Sequence, residues 1–132
     1  MIDHMSSYAT DFAASRSFYI SVLGVLGFEV QMEFSADSDE EFPGRRMCAW
    51  GPAGRPIFWL IEVKEAVGPR HFAFTASDRA AVDRFHSAGI AAGAADHGAP
   101  GLRAIYHPDY YGAFLLDPDG NNVEAVCHAA DG

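Results

Sequence analysis

The chain has 132 residues, about half of them hydrophobic and 13% aromatic, which is enough apolar bulk for one compact domain and too much for a disordered one. Nine Lys and Arg stand against 18 Asp and Glu, a formal charge of −9, so neither a nucleic-acid backbone nor an anionic membrane surface is an expected partner. Cys48 and Cys127 fit no metal-knuckle or disulfide spacing, and Met1 leads straight into Asp3 and His4 without a basic and then apolar leader; the expected compartment is cytoplasmic. The longest apolar runs, such as Ile57 to Ile61, are too short to span a bilayer.

An internal repeat organises the chain. His4 to Ala14 laid over His71 to Ala81, an offset of 67 residues from His4 to His71, matches His, Ala, Asp and an Ala-Ala pair; Phe18 meets Phe85 in the same register. Each copy begins as a strand: Phe72 and Phe74 alternate with His71, Ala73 and Thr75, which puts the phenylalanines on one face and His71 on the other. Thr10 or Asp11, and Ser77 or Asp78, are suited to cap a following helix. Phe12, Phe18, Tyr19, Val22 and Leu23 give helical spacing in the first copy, and Ala81, Val82 and Phe85 in the second.

Strands then follow at Phe28 to Phe34, Arg46 to Trp50 and Ile57 to Val63, the last two separated by the turn Gly51-Pro52-Ala53-Gly54. The acidic stretch Ser35 to Arg46 reads as a solvated loop or a lid. In the second copy, Gly89 to Gly101 reads as a flexible connection holding a poorly marked strand near Ala91 to Ala95. Strands are then expected at Leu102 to Tyr106, Tyr110 to Leu116 and Asn122 to Cys127, with the turn Asp117-Pro118-Asp119-Gly120 before the last. The order is βαβββ twice, an α+β pattern with mostly antiparallel pairings. The chain reads as a single domain, residues 1–132, made of modules of about 1–65 and 66–132.

The repeat singles out two of the six histidines. His4 and His71 occupy equivalent positions, and Glu124 lies on the last strand with Asn122, Val126 and His128 on its face and Val123, Ala125 and Cys127 on the other. Two imidazoles and a carboxylate suit a first-row divalent ion with positions left open for substrate, and the ligand types do not choose among Zn, Fe, Mn and Ni. The plainer reading has hydrogen-bonded histidines at strand starts and an ion-paired Glu124. Arg103, Tyr106, His107, Tyr110 and Tyr111 cluster before the final hairpin. Of these, His107 is a candidate general acid or base, and Tyr110 is a candidate for orienting a reacting oxygen. Trp50, Phe58 and Trp59 read as core or dimer-contact residues, or as an apolar wall for a substrate.

These residues resemble the vicinal oxygen chelate superfamily, which holds glyoxalases, bleomycin-resistance proteins and type I extradiol dioxygenases. The resemblance rests on Ile2-Asp3-His4, on Ser17-Phe18-Tyr19 followed by Leu23-Gly24-Val25-Leu26-Gly27-Phe28, on His71-Phe72-Ala73-Phe74, and above all on Asp117-Pro118-Asp119-Gly120-Asn121-Asn122-Val123-Glu124. It implies a glyoxalase-like fold of paired modules forming a cup-shaped sheet, His4, His71 and Glu124 as ligands of a divalent metal ion, a small-molecule substrate and a homodimer. It also implies either a metal-dependent enzyme of lyase, dioxygenase or transferase type, or a binding protein without catalysis like the antibiotic-resistance members.

One departure is visible. Glyoxalase I has a further glutamate on the last strand of its first module. Aligning the two turns lays Phe58 over Glu124, and a shift of one residue lays Trp59 there; neither binds a metal or takes a proton. Glu62 lies four residues beyond Phe58, roughly 13 Å along a strand. Glyoxalase I activity is therefore not expected, because isomerising a hemithioacetal needs a base for a carbon-bound proton.

Overall fold

The computed structural model describes residues 1–130; residues 131 and 132, assigned above to the second module, lie outside the described residues. The elements in chain order are β1 (Met5–Ala9), α1 (Phe12–Val25), β2 (Glu29–Ala36), β3 (Arg45–Gly51), β4 (Phe58–Glu62), β5 (His71–Thr75), α2 (Arg79–Ala91), β6 (Ala95–Leu102), β7 (Tyr111–Leu116) and β8 (Asn122–Cys127). They form two four-stranded sheets of the same topology, ordered β1-β4-β3-β2 and β5-β8-β7-β6. In each, the first strand runs parallel to the last and the remaining pairings are antiparallel. The expected βαβββ repeat is thus present twice.

Asp11 and Asp78, equivalent in the repeat, cap the two helices; their carboxylates accept the N–H of Ala14 at 3.1 Å and of Ala81 at 2.7 Å. Each sheet turns one face to a single core. Phe58 of β4 meets Phe72 and Phe74 of β5 at ring separations of 5.2 and 5.3 Å, and Tyr19 of α1 packs on Phe58 at 4.9 Å. These rings join the modules, so truncating Phe58 to Ala would cost about 3–5 kcal/mol. Trp50 and Phe58 are core residues, whereas Trp59 lies on the outer face against Phe34. That outer face of the first sheet also exposes Met32.

Two stretches differ from expectation. The loop after β2 is shorter than Ser35 to Arg46, because β2 and β3 both extend into it. Asp39 accepts the N–H groups of Glu41 and Phe42 and pairs with Arg45 at 3.1 Å, while Lys64 and Arg45 both lie over the Phe42 ring, so the loop is pinned to its own module. In the second module the strand lies at Ala95–Leu102, not at Ala91 to Ala95, and α2 runs on to Ala91. Gly98, Pro100 and Gly101 hide this strand in the sequence. It is an edge strand, where irregular pairing and a proline are tolerated, and its register breaks at Asp96/Gly98 and Gly98/Gly101. The expected strand Leu102 to Tyr106 ends at Leu102. Arg103 N–H bonds to Tyr110 O at 2.7 Å and Tyr106 N–H to Arg103 O at 3.0 Å, which closes residues 103–110 into a folded connection. No helix among the described residues is long and apolar enough to cross a membrane.

Candidate metal site

β5 and β8 are parallel neighbours in which His71 pairs with Asn122 and Ala73 with Glu124. His71 and Glu124 both point to the outer face, opposite Phe72, Phe74, Val123 and Ala125 in the core. His71 Nε2 lies 2.9 Å from Glu124 Oε1, and Tyr110 donates its hydroxyl to the other oxygen, Oε2. Glu124 is 2% exposed, whereas the His71 side chain is half exposed at 54%. Gly112 on β7 leaves room for the Tyr110 ring: a Cβ there would sit 3.2 Å from Tyr110 Cε1, and at ordinary contact distance, 3.4 Å, from Glu124 Oε2. Phe114, paired with Glu124 across the β7–β8 ladder, places its ring 6.3 Å from that of His71. Burial, and after it the hydrogen bond to Glu124, raises the Tyr110 phenol well above its ordinary value, so it stays a hydrogen-bond donor across the physiological range.

His107 lies behind Tyr110, with ring centroids 5.5 Å apart. Its Nδ1 accepts the N–H of Asp109 at 3.1 Å, which assigns the proton to Nε2, and Nε2 lies 2.8 Å from His128 Nδ1. His107 thus contacts His128 and Tyr110, and hydrogen bonds with neither Glu124 nor His71. His4 stands apart from these residues. It precedes β1, bonds through Nδ1 to Asp3 at 2.7 Å, and lines a recess of about 410 Å³ with Gly54, Arg55, Ile57 and Trp59. Among the described residues, no three or more His, Cys, Asp or Glu side chains are grouped so as to hold a metal ion.

The donors that do converge suit a divalent ion. His71 Nε2 and Glu124 Oε1 are hydrogen-bonded at 2.9 Å, and two cis donors about 2.1 Å from an octahedral ion are about 3 Å apart, so an ion can take the place of the shared proton without a large movement of either side chain. Imidazole and carboxylate are the donor types a borderline metal takes, and Asn122, paired with His71, has a buried side-chain oxygen without a partner. One chain therefore presents two of the three expected ligands together.

The ladder register settles which residue matches Glu124 in the first module. Ser6 pairs with Trp59 as Ala73 pairs with Glu124, and Ser6 and Ala73 are themselves 67 residues apart. Trp59 is the equivalent; Phe58 faces the core. Glu62 is engaged elsewhere, bound to the Arg46 guanidinium at 2.7 Å.

The Asp117 turn has a structural task that sequence reasoning did not assign. Asp117 Oδ1 accepts the N–H groups of Asp119 and Asn121, and Oδ2 accepts the buried Tyr19 hydroxyl at 2.5 Å. Asp119 accepts the Thr10 hydroxyl at 2.6 Å, and Asn121 Oδ1 accepts the Arg70 N–H at 2.8 Å. The turn thus ties α1 and the residue before His71 to the start of β8, and so holds His71 and Glu124 in register. The Asp-Pro-Asp-Gly signal was legible; its reach across the chain to Tyr19 was not.

The sequence model described as Glyoxalase/Bleomycin resistance protein/Dioxygenase superfamily matches residues 1–125. Among solved structures, a glyoxalase/bleomycin resistance protein from Albidiferax ferrireducens T118 is 25% identical with a TM-score of 0.74, covering 96% of this chain and 98% of that one. A lactoylglutathione lyase from Agrobacterium tumefaciens is 25% identical with a TM-score of 0.66, covering 96% of this chain and 92% of that one. A family enzyme from Burkholderia phytofirmans PsJN, 21% identical with a TM-score of 0.67 and covering 97% of this chain and 98% of that one, shares the fold. No curated protein matches the chain. On the match over residues 1–125 and the doubled βαβββ fold, the chain belongs to the glyoxalase/bleomycin resistance protein/dioxygenase superfamily.

Proposed function

We propose that this chain is a metal-dependent enzyme that chelates adjacent oxygens of a small molecule at a divalent ion held by His71 and Glu124, with His4 as the third ligand. The observation that carries the reading is the His71 to Glu124 pair, a carboxylate 2% exposed whose two oxygens meet only an imidazole and a phenol. Burying a carboxylate without a permanent cation is costly, and a bound cation offsets that cost. Such an ion supplies Lewis-acid stabilisation of negative charge on two neighbouring substrate oxygens.

The chain's own residues divide the remaining work. Tyr110 donates to Glu124 Oε2 and so fixes Oε1 as the oxygen turned toward His71. His107 packs behind the Tyr110 ring and positions it. Phe114 provides an apolar floor beside His71 for the carbon skeleton of the substrate.

His4 joins the site, in this reading, from a second copy of the chain in a homodimer. Support comes from its separation from His71 and Glu124 within one chain, and from the apolar outer face of the first sheet, where Met32 and Phe34 are 45% and 44% exposed. That exposed face also favours a second reading, a small-molecule binder without catalysis, in which Trp59 and Phe34 hold an apolar ligand.

Calorimetric titration of the Zn²⁺-loaded protein with catechol, a minimal vicinal-oxygen ligand, tests the first reading. Saturable binding that disappears after dialysis against a chelator supports it. Binding that survives removal of the metal supports the binder, and absence of binding by the loaded protein rejects chelation.

A further inference from the structure

Arg103 lies on the same outer face as His71 and Glu124, and no carboxylate pairs with it among the described residues. Of the other arginines, Arg16 on α1 pairs with Glu33, Arg45 with Asp39 and Arg46 with Glu62, whereas Arg70 and Arg79, like Arg103, lie over an aromatic ring with no carboxylate partner among the described residues. Arg103 is nevertheless held in a defined place. Its guanidinium carbon stands 5.4 Å from the Phe114 ring centroid, and Nη2 donates to Ala99 O at 2.6 Å. Beneath it the edge strand β6 has no side chain at Gly98 and Gly101. A Cβ on Gly101 would come within 3.1 Å of Nη1, and one on Gly98 within 3.3 Å of Nη2 and 2.8 Å of Phe114 Cδ1. The two glycines that break the β6 register thus make the bed on which the guanidinium lies.

Phe114 is the shared neighbour of the two groups, since its ring is also 6.3 Å from that of His71. The imidazole and guanidinium both lie against this one ring, at 6.3 and 5.4 Å from its centre, so a small substituted ring with a polar contact at each end can reach both. The nearest carboxylate of the site, Glu124, already has both oxygens engaged, by His71 and Tyr110. Of the five N–H donors of Arg103, one is used by Ala99. A half-buried guanidinium over an aromatic ring, with free donors and no carboxylate partner, is arranged to receive a planar oxyanion in the two-pronged geometry that lysine does not offer.

We propose that Arg103 anchors a carboxylate of the substrate, so that the substrate class is a small carboxylic acid whose vicinal oxygens lie toward His71 and Glu124 while its carbon skeleton rests on Phe114. The second part rests on the function proposed above; the anion site at Arg103 does not. Two experiments separate them. In the metal-free ¹⁵N-labelled protein, benzoate is expected to shift the Arg103 Nε–Hε resonance saturably, with no such response in Arg103→Gln, whose backbone spectrum otherwise shows the native fold. Absence of a saturable shift overturns the anion site whatever the metal does. In the Zn²⁺-loaded protein, 3,4-dihydroxybenzoate is expected to bind about tenfold or more tightly than catechol, the worth of one charge-assisted contact, and Arg103→Gln to abolish that ratio. An unchanged ratio in Arg103→Gln, or no preference in the native chain, overturns the substrate class. Failure of both ligands to bind the loaded protein instead rejects chelation and leaves the benzoate experiment to decide Arg103 alone.

Discussion

Trp59 occupies in β4 the place that Glu124 occupies in β8, each paired in register with the equivalent residue of the neighbouring parallel strand, Ser6 and Ala73. An indole accepts no proton, and the nearby carboxylate of Glu62 is bound to Arg46. The metal-loaded protein is therefore expected not to isomerise the hemithioacetal of methylglyoxal and glutathione above the rate in buffer, as followed by thioester absorbance. A metal-dependent rate that falls with Glu124→Ala would overturn this.

Tyr110 and His107 differ in their distance from the chemistry, and their variants should differ in kind. Tyr110→Phe removes the donor to Glu124 Oε2 and is expected to weaken Zn²⁺ affinity about tenfold or more, the usual scale for groups that orient a metal ligand. His107→Ala is expected to have a smaller effect on affinity, and none when Tyr110 is already Phe. Competition against a fluorescent chelator measures both, and the double variant distinguishes positioning through Tyr110 from an independent role.

The separation of His4 from His71 and Glu124 makes complementation informative. His4→Ala and Glu124→Ala chains, each expected to be deficient in metal, are expected to regain half the native metal content when unfolded together and refolded as mixed dimers. No recovery in mixed dimers would show that the ligands of one ion come from one chain.

The Tyr19 hydroxyl and Asp117 form the buried link between α1 and the turn before β8. Tyr19→Phe leaves Asp117 with its N–H donors from Asp119, Asn121 and the Asn121 amide but removes one charge-assisted bond. The expected loss is about 1–3 kcal/mol in urea unfolding. A loss near zero would mean that the three remaining donors suffice to hold the turn.

Alkaline pH should destabilise the fold with a definite sign. Burial, together with Asp117, raises the Tyr19 phenol; burial and Glu124 raise that of Tyr110; and burial pushes the Cys48 thiol up to about 12. The folded chain then holds protons that the unfolded chain releases near pH 8.5 for a thiol and about 10 for a phenol. Stability conferred by these groups is complete below those values and declines as pH rises through them. Urea midpoints measured from about pH 8 to pH 11 are expected to fall, with tyrosinate absorbance from Tyr19 appearing only on unfolding.

What the sequence made legible was whatever repeats or alternates. The 67-residue offset marked both strand–helix units, both Asp caps and the face that bears His71, and strict alternation assigned Glu124 and Val123 to opposite sides of β8. Strand β6 escaped because an edge strand tolerates the glycines and proline that otherwise mark a loop, and here those glycines serve Phe114 and Arg103. The distant partners of Asp117 and the actual neighbours of His4 and His107 also escaped. Nothing in local spacing encodes which turn packs on which helix.

Elemental analysis of protein reconstituted with metal and then freed of excess decides whether His71 and Glu124 hold a divalent ion; it is run on the native chain, His71→Ala and Glu124→Ala, each shown to be folded. The expected result is one equivalent of metal per native chain and its loss from both variants; a native chain that retains none, or variants that retain as much as the native chain, would contradict it.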